Sequence, residues 1–431
     1  MSQLEDIYKA FLQSSSISTD SRKCEKNSMF VALKGDRFDG NKYVKDVLAK
    51  GAAFAIASDQ SLVGMDNVFV VDDTLETLQA LANHHRRKLN IPIIAITGTN
   101  GKTTTKELLA AVLSKKYRIK ATAGNFNNHI GVPLTLLSMD ENVELGVVEM
   151  GANHVNEIDL LCEIAEPNYG LITNVGKAHL EGFGSFEGVR KAKGEMYDYI
   201  ASKNGLIFIN RGNAYLMEMA EEVDRRFYYG KNGIVQASLT AVNPFVSLDW
   251  ELEDEGLLSN VDTKLIGGYN LENILAAIAV GSYFKVEKYE INKAIADYTP
   301  SNNRSQFIKT KNNRIIMDAY NANPSSMEVA LENFNEIEEA NKVIVIGGMK
   351  EMGEDSNAEH AKLLSLIQSG NYEKVILIGE EFNDNALTPN MRLFPDNKSL
   401  ILSLQSEKLS DSYILIKGSR SNKLEEILPY L

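Results

Sequence analysis

Residues 97–105 read TGTNGKTTT and directly follow the apolar run IPIIAI at residues 91–96. A buried strand, a glycine turn with a lysine, and then hydroxyl side chains that open a helix, predicted at 106–117, are typical of a phosphate-binding loop. Gly98 and Gly101 allow the backbone to turn its N–H groups inward, and the helix N-terminus adds the positive end of its dipole. Lys102 can then reach the terminal phosphates of a nucleotide.

The loop fits the general motif G-x-x-x-x-G-K-[ST] imperfectly, because the first glycine would fall on Ile96. A glycine-rich turn with a solvated lysine is the alternative interpretation. Because the flanking strand and helix patterns are both of the right kind, we predict nucleotide binding, with Mg²⁺ on Thr103. The loop residues predicted to hold the phosphates are Gly98, Thr99, Asn100, Gly101, Lys102, Thr103 and Thr104.

Composition sets the broad class of the protein. A chain of 431 residues exceeds a single core and predicts two or three domains. The net charge of −13 argues against bulk binding to nucleic acid or an anionic membrane. Cys24 and Cys162 have no metal-ligand spacing, and the apolar run 274–280 is far below the roughly 20 residues of a membrane span. Without a signal-peptide pattern, we expect a cytoplasmic monomer with no nucleic-acid partner and no membrane insertion.

Strand and helix patterns divide the chain into three α/β segments. Residues 1–88 predict a small α/β domain, and residues 89–300 a central P-loop-type domain with a mainly parallel sheet. Residues 301–431 predict a Rossmann-like C-terminal domain, although GGM at 347–349 lacks the full dinucleotide fingerprint. The stretch 298–303, YTPSNN, is typical of a linker.

The predicted elements of these segments alternate between apolar strands and amphipathic helices. The predicted strands are 29–33, 53–57, 68–71, 91–96, 145–149, 169–173, 206–210, 315–317, 343–346, 375–378 and 413–416. Helices are predicted at 43–50 and 75–88, and from near Pro324, Ser356 and Ser421.

Three polar residues of the central segment are candidates for the site. Glu149 ends a predicted strand, where a carboxylate can hold a phosphate-bound metal, but it could also be a helix cap or a surface ion pair. His179 follows another strand end, yet a lone histidine is more often structural. Lys193 is predicted early in a helix, where most lysines form a solvated face, and periodicity does not choose it over Lys191.

The order of the phosphate loop, Glu149, His179 and Ala192-Lys193 resembles that of the Mur ligases. These are ATP-dependent enzymes that extend the peptide stem of bacterial cell-wall precursors. The resemblance covers essentially the whole chain and implies ATP and Mg²⁺ as cofactors, with Glu149 and His179 as metal ligands beside Thr103. It further implies that Lys193 is carbamylated into a metal-binding carboxylate and that Lys102, Lys193 and His179 are catalytic.

Two further regions resemble nucleotide contacts of this family. The segment YNLEN at 269–273 is similar to its [HY]-N-x-x-N motif and implies that Asn273 contacts adenine, while helix capping by Asn270 is the structural alternative. Arg304 and Asp318 resemble residues that approach ATP on domain closure, with Arg304 at phosphate and Asp318 at the nucleotide end. A surface ion pair is the alternative for these two.

Three motifs resemble the family members that join D-alanyl-D-alanine to UDP-N-acetylmuramoyl-tripeptide. They are GNFNNHIGVPLT at 124–135, DAYNANPSSM at 318–327 and KGSR at 417–420. Asparagine-rich loops are ordinarily turns, and DSR at 20–22 is a common polar turn. The resemblance implies that the N-terminal segment holds the UDP end of the substrate. The implied substrate-binding residues are Ser21, Arg22, Asn125, Asn127, Asn128, Tyr320, Asn321 and Asn323.

One position departs from the family pattern, and two other functions remain open. Gly348 stands where the G-D-M-x-E-L-G segment has an aspartate, and Glu351 is the nearest remaining carboxylate. The resemblance implies an acyl phosphate, formed when the tripeptide carboxylate attacks ATP and consumed by the dipeptide amine. A folylpolyglutamate synthase shares this chemistry but is expected to lack the N-terminal domain. A nucleotide-dependent switch would hydrolyse ATP without ligation.

Overall fold

A computed structural model of the chain describes residues 3–253, 259–301, 303–382 and 387–431. Its strands form three main sheets of four, nine and six strands, together with one two-stranded hairpin. The sheets follow one another along the chain, and helices pack against them. The predicted α/β class with a mainly parallel central sheet is therefore confirmed. No described helix is both long and apolar enough to cross a membrane.

The N-terminal unit is a parallel sheet of order β1-β2-β5-β6 with a small hairpin, β3–β4. Its strands are β1 Ile17–Ser18, β2 Met29–Val31, β3 Lys34–Gly35, β4 Phe38–Asp39, β5 Phe54–Ala57 and β6 Val68–Val70. Its helices are α1 Gln3–Gln13, α2 Val44–Ala49 and α3 Thr74–Leu89.

The central unit has the sheet order β15-β14-β13-β12-β11-β10-β7-β9-β8, parallel from β8 to β13 and antiparallel beyond. Its strands are β7 Ile93–Thr97, β8 Ile119–Ala121, β9 Leu145–Glu149, β10 Tyr169–Ile172, β11 Leu206–Asn210, β12 Arg225–Tyr229, β13 Val235–Ala241, β14 Ser247–Leu252 and β15 Ser259–Asp262. Its helices are α4 Lys102–Leu113, α5 Gly131–Leu137, α6 Glu157–Ala165, α7 Leu180–Phe183, α8 Phe186–Ser202, α9 Ala214–Met219, α10 Asn270–Tyr283 and α11 Lys288–Asp297.

The C-terminal unit has the sheet order β16-β17-β21-β18-β19-β20, in which only the edge strand β16 is antiparallel to its neighbour. Its strands are β16 Gln306–Lys309, β17 Asn313–Asp318, β18 Lys342–Gly347, β19 Lys374–Ile378, β20 Met391–Phe394 and β21 Ser412–Lys417. Its helices are α12 Pro324–Glu336, α13 Ser356–Ser369 and α14 Asn397–Ser406.

Strand β7 lies in the middle of the central sheet, between β9 and β10. Ile93, Ile94, Ala95 and Ile96 are fully buried, because helices cover both faces of a parallel sheet. The carboxyl ends of these three neighbouring strands therefore meet at one edge. The phosphate loop follows β7 at this edge, and Glu149 ends β9.

Three sequence predictions of local structure were wrong. Helix α4 begins at Lys102 rather than Lys106, because the lysine and threonines that resemble loop residues form its first turn. Lys193 lies in the middle of α8 rather than early in it. The segment from Ser421 forms two short 3₁₀ helices, at Arg420–Asn422 and Leu424–Tyr430, instead of an α-helix. The predicted linker 298–303 includes Asn302, which lies outside the described residues.

Candidate active site

The phosphate loop is an open backbone turn that only glycine fits at two positions. Gly98 and Gly101 have φ angles of 144° and 78°. A Cβ atom at Gly98 would collide with the Thr173 hydroxyl, and one at Gly101 with the Asn273 amide. Gly101 is also the N-cap residue of α4, so the free N–H groups of the first helical turn face the loop.

The segment after β10 holds the loop in place. The Asn174 side chain accepts a hydrogen bond from the Asn100 N–H at 2.9 Å and donates one to the Asn100 carbonyl at 3.1 Å. The Thr173 hydroxyl donates to the same carbonyl at 2.6 Å. The Thr99 hydroxyl accepts from Gly176 N–H at 2.9 Å. The loop is therefore fixed before any ligand binds, which lowers the entropic cost of phosphate binding.

Lys102 lies folded back across the loop. Its ammonium group donates to the carbonyls of Gly98 at 2.6 Å and Thr99 at 3.0 Å. Burial lowers the pKa of Lys102 to about 8, and the nearby Glu149 opposes this shift. A buried cation at the mouth of a phosphate loop favours an anionic ligand.

Glu149 is a buried carboxylate beside the loop, with only 1% of its surface exposed. It accepts hydrogen bonds from the Thr103 hydroxyl at 2.9 Å and from the Asn127 amide at 2.8 Å. The Lys106 ammonium lies 3.8 Å away and provides the countercharge. These contacts place Glu149 inside the molecule and rule out the alternative of a surface ion pair.

The residues present fit a magnesium ion at this position. Described residues include no group of three or more His, Cys, Asp or Glu side chains that could hold a metal by themselves. Mg²⁺, however, is usually held by one or two carboxylates together with substrate phosphates and water. Glu149 and Thr103 supply a carboxylate and a hydroxyl oxygen beside the phosphate loop, which is the donor set that this arrangement requires.

Asn273 lies beside Gly101 of the phosphate loop, on the first turn of α10. Its oxygen accepts from the Thr105 hydroxyl at 3.1 Å, and its NH₂ group donates to the Asn270 oxygen at 2.8 Å. The N-cap residue of α10 is Tyr269, and the Asn270 side chain donates to the Ile266 carbonyl, so Asn270 does not cap this helix. The role of Asn273 toward adenine stays a prediction.

Lys193 is also buried, with 3% of its surface exposed. Its nitrogen lies 5.4 Å from the ring centroid of Phe183. Burial, followed by the positive charge of Lys102, lowers the pKa of Lys193 to about 7. This environment excludes the solvated-face alternative. Lys191, in contrast, is exposed on the same helix.

A cavity of about 1010 Å³ joins these groups to the C-terminal unit. Its walls include the phosphate loop, Glu149, Lys193 and His179 on the central side, and Arg304 and Asp318 on the other. Further wall residues that the sequence predicted are Asn125, Asn127, Asn128, Asn273, Tyr320, Asn321 and Asn323. The structure thus brings all the predicted site residues to one cavity except Ser21 and Arg22.

Direct contacts bring the C-terminal unit against the phosphate loop. The Asn323 amide donates to the Asn100 side-chain oxygen at 2.9 Å. The Ser325 hydroxyl accepts from the Lys177 N–H at 3.1 Å. Asn323 is also the N-cap residue of α12, where it forms a capping box with Ser326. The Asn323 side chain therefore both caps α12 and forms a contact between the C-terminal and central units.

Arg304 and Asp318 lie on the C-terminal side of the cavity. The Arg304 guanidinium stacks 3.7 Å from the centroid of the Tyr320 ring, and its buried Nε has no hydrogen-bond partner among the described residues. The Asp318 carboxylate accepts from Lys417 at 2.5 Å and from the Ser305 N–H at 3.1 Å. Asp318, 18% exposed at its side chain, thus pairs with the buried Lys417, which differs from the surface pair that was the alternative.

The side chain of Glu381 lies beside Gly348, the position at which the family pattern has an aspartate. A Cβ atom at Gly348 would lie 2.5 Å from an oxygen of Glu381, so the Glu381 side chain fills this space. Glu381 forms an ion pair with Lys350. Glu351 instead forms an ion pair with His179 of the central unit, whose hydrogen bond lowers the pKa of Glu351.

The remaining predicted substrate residues have local partners. Arg22 is 86% exposed at its side chain and pairs with Asp20, whose pKa these hydrogen bonds lower to about 2. Ser21 and Arg22 lie in a turn of the N-terminal unit, outside the cavity wall. Asn128 accepts from the N–H of Gly131 at the start of α5, as turn chemistry would suggest. Their substrate roles stay predictions.

Sequence reasoning missed several residues that hold this site together. Lys106 lies one helical turn after Lys102, and this i,i+4 spacing could have indicated it once the helix start was known. Lys417 was within the quoted KGSR motif but was given no role, and Asn174, which follows a predicted strand, was not singled out. Glu381 has no sequence signal, because only the tertiary fold brings it to Gly348.

The three-sheet fold and this cavity define a class of nucleotide-dependent enzymes in which a separate C-terminal α/β unit covers a phosphate loop. Known protein families match three successive segments of the chain. Residues 13–95 match the Mur ligase family catalytic domain, residues 96–281 the Mur ligase middle domain, and residues 303–420 the Mur ligase glutamate ligase domain. The chain belongs to the Mur ligase family.

Individual relatives match over nearly the whole chain. UDP-N-acetylmuramoyl-tripeptide–D-alanyl-D-alanine ligase of Bacillus subtilis (strain 168) is 34% identical, over 96% of this chain and 92% of its own length. A crystal structure of MurF from Acinetobacter baumannii has a TM-score of 0.87 and 30% identity, with 99% and 97% of the two chains covered. MurF ligase from Thermotoga maritima in complex with ADP has a TM-score of 0.85 and 27% identity, with 97% of each chain covered.

Proposed function

We propose that this protein is an ATP-dependent ligase that joins D-alanyl-D-alanine to the terminal carboxylate of UDP-N-acetylmuramoyl-tripeptide, in the synthesis of peptidoglycan precursors. The observation that carries the proposal is the cavity in which a fixed phosphate loop and a buried carboxylate face the Asn323 segment of the C-terminal unit. Relatives that carry this activity in their names match nearly the full length of the chain.

The chemistry begins with an unreactive carboxylate that must gain a leaving group. One oxygen of the tripeptide carboxylate attacks the γ-phosphorus of ATP, the bond to the bridging oxygen of ADP breaks, and an acyl phosphate forms. The dipeptide amine then attacks the acyl carbon, loses a proton and expels inorganic phosphate. Phosphoryl transfer needs mainly positioning and neutralisation of charge from the protein.

The residues of the cavity match these needs. We assign Lys102 and the loop N–H groups to the β- and γ-phosphates, Asn273 to adenine, and Arg304 and Asp318 to ATP from the C-terminal side. Glu149 and Thr103 would hold Mg²⁺ at the γ-phosphate, and His179 with carbamylated Lys193 would hold a second ion. Bound Mg²⁺ would reduce the repulsion between ATP and the anionic carboxylate.

Carbamylation of Lys193 agrees with its surroundings. A lysine amine must be neutral to react with carbon dioxide, and a pKa of about 7 makes roughly half of this amine neutral at neutral pH. The product is a carboxylate, which exchanges a buried cation beside Lys102 for an anion. This exchange replaces the repulsion between two cations with an attraction between the carbamate and Lys102.

Each of the three units would have a different role toward the substrates. We propose residues 1–88 as the domain for the UDP end, with Ser21 and Arg22 as contacts, residues 89–300 as the ATP domain and residues 301–431 as the closing domain. Asn125, Asn127, Asn128, Tyr320, Asn321 and Asn323 would surround the tripeptide and dipeptide. We propose that the protein is cytoplasmic and monomeric.

One assay separates this function from its two rivals. ADP release is measured with UDP-N-acetylmuramoyl-tripeptide and D-alanyl-D-alanine together, with each alone, and with a folate and glutamate. The ligase needs both cell-wall substrates for rapid turnover, with a tripeptide ending in diaminopimelate or in lysine. Turnover with folate and glutamate would indicate a folylpolyglutamate synthase, and ADP release that no substrate accelerates would indicate a switch.

A further inference from the structure

The contact between His179 and Glu351 joins two units at the site. His179 lies in the loop between β10 and α7, and Glu351 lies in the loop after β18. The His179 Nδ1 forms an ion-pair contact with the Glu351 carboxylate. The two residues are 172 positions apart in sequence, so this contact exists only where the C-terminal unit is seated against the central one.

Both residues have a backbone conformation that is unfavourable for their side chains. The φ angle is 49° at His179 and 62° at Glu351. A glycine adopts these angles without steric cost, whereas a glutamate does not. Non-glycine residues held in this region cluster at functional sites, where the surrounding structure fixes them. Backbone energetics alone would therefore favour glycine at position 351.

The surroundings of the pair fix the loop that carries Glu351. Met352 is buried, and Leu180, next to His179, packs against the same apolar cluster. Gly353 lies against Glu181, since a Cβ atom there would be 3.4 Å from the Glu181 Cβ. Apolar contacts thus bring the two loops together, and the ion pair forms at their edge, where 58% of the Glu351 side chain is exposed.

We propose that Glu351 is a positioning residue for His179, supplied by the C-terminal unit. A carboxylate that accepts the Nδ1 proton fixes the tautomer and orientation of the ring, and leaves the Nε2 lone pair for a metal ion. Because Glu351 comes from the closing unit, His179 is held in this state only when that unit is seated. Closure would therefore complete the second metal position.

This inference rests on the proposed function, in which His179 binds a metal ion. The family pattern places a glutamate at this point but by itself gives it no partner. An exposed ion pair usually contributes little to stability. If Glu351 positions His179, removal of its carboxylate should weaken metal binding without lowering the thermal midpoint. If Glu351 only stabilises the fold, its removal should lower the thermal midpoint.

The test uses Mn²⁺ binding to the full-length protein with a non-hydrolysable ATP analogue, followed by electron paramagnetic resonance. In Glu351→Gly we expect the Mn²⁺ position at His179 to lose roughly 10- to 100-fold in affinity, the usual effect of removing such a partner. The thermal midpoint should be unchanged or higher, because glycine adopts the positive φ angle at this position without steric cost. Glu351→Gln keeps an acceptor oxygen and should lose less affinity. Glu354→Gln, an exposed position in the same loop, is the matched control.

The pairing with His179 is tested in the double variant. In a His179→Ala background, Glu351→Gly should have no further effect on Mn²⁺ affinity, since Glu351 acts only through the His179 ring. Mn²⁺ binding equal to that of the wild type in Glu351→Gly would overturn the inference. So would a loss of affinity together with a lower thermal midpoint, which indicates a purely structural role. Absence of ligase turnover in the wild-type protein would instead refute the proposed function, since Mn²⁺ binding does not depend on turnover.

Discussion

At the scale of single residues, the site contains two buried lysines whose charges repel each other. Burial lowers the pKa of Lys102 to about 8 and that of Lys193 to about 7, and the charge of Lys102 contributes to the latter. Glu149 is the carboxylate that opposes the shift at Lys102. An incoming polyphosphate supplies further negative charge, so part of its binding energy comes from relieving this repulsion.

Replacing Lys102 by methionine keeps the apolar stem and removes the charge. We expect the rate of ADP formation to fall by at least about 100-fold, the usual effect of removing one group that stabilises transition-state charge. The fold should persist, and the thermal midpoint should not fall, because the variant no longer buries a cation. The exposed Lys120→Met is the control. Near-normal turnover in Lys102→Met would contradict the role assigned to this residue.

The lowered pKa of Lys193 predicts how the free energy of unfolding changes with pH. Its pKa is about 7 in the folded protein and about 10.5 in the unfolded chain. Between these values the unfolded chain holds a proton that the folded protein lacks, so stability rises with pH by up to about 1.4 kcal/mol per pH unit. Below pH 7 both states hold the proton, and this slope disappears. In buffers free of carbon dioxide, Lys193→Met should have a smaller slope between pH 7 and 9.5 by urea denaturation. Equal slopes would show that the pKa of Lys193 is not lowered in the folded protein.

Rescue of a truncated Lys193 tests its carbamylation. Lys193→Ala should lose most ligase activity, and short carboxylic acids should restore part of it by occupying the place of the missing carboxylate. Lys191→Ala, on the exposed face of the same helix, should remain active without them. Full activity of Lys193→Ala would remove this residue from the site.

At the scale of elements, helix α3 connects the N-terminal unit to the central one through hydrogen bonds and apolar packing. The Arg86 guanidinium is buried and donates to the carbonyls of Ala165 and Glu166 and to the Asn168 side chain, at 2.8, 3.0 and 3.1 Å. These acceptors lie at and just after the C-terminal end of α6 in the central unit. One core cluster also runs continuously from α1 and α3 into the central sheet. The N-terminal and central units thus share a packed interface.

This interface predicts different effects for two adjacent arginines. Arg86→Met leaves three acceptors without their donor and should lower the free energy of unfolding by about 3 kcal/mol. Arg87→Met removes only an exposed pair with Glu166 and should cost less than about 1 kcal/mol. Urea denaturation of both variants measures the difference. Equal losses would contradict the role of Arg86 at the interface.

The apolar pattern of the sequence predicted the bounds of strand β9 correctly and missed the first turn of helix α4. Strand β9, Leu145–Glu149, has the predicted bounds because it is an apolar run that ends in a carboxylate. The first turn of α4 was missed, since Lys102 and three threonines have no apolar periodicity until Leu108. Phosphate-loop chemistry, not amphipathicity, determines that turn. Glu149 was identifiable from sequence as a candidate, because a carboxylate at a strand end suits a phosphate-bound metal, but its hydrogen-bond partners were not.

At the scale of the whole molecule, contacts across the cavity seat the C-terminal unit on the phosphate loop. Asn323 contacts Asn100, Ser325 contacts Lys177, and Glu351 contacts His179. Each pair is more than 140 positions apart in sequence. Such contacts depend on how the units dock, so periodicity and motifs within one segment could not predict them. They enclose the cavity from which water must be excluded if an acyl phosphate is to survive.

A double-mutant cycle tests this closed arrangement. Asn100→Ala and Asn323→Ala should each lower kcat/KM for ATP several-fold, and the double variant should show a coupling of about 1 kcal/mol, typical of one hydrogen bond. Asn100→Ala with Asn321→Ala is the control, because the Asn321 oxygen accepts from the adjacent Ala322 N–H instead. Additive effects for Asn100 and Asn323 would show that their contact does not form during turnover.

The central claim is that this molecule activates the tripeptide carboxylate as an acyl phosphate and passes it to the dipeptide. The most direct measurement follows ¹⁸O from UDP-N-acetylmuramoyl-tripeptide labelled in its terminal carboxylate. One labelled oxygen should appear in inorganic phosphate for each pentapeptide formed, and only when ATP and D-alanyl-D-alanine are both present. Phosphate that carries no label, or that is released at the same rate without the dipeptide, would contradict the account.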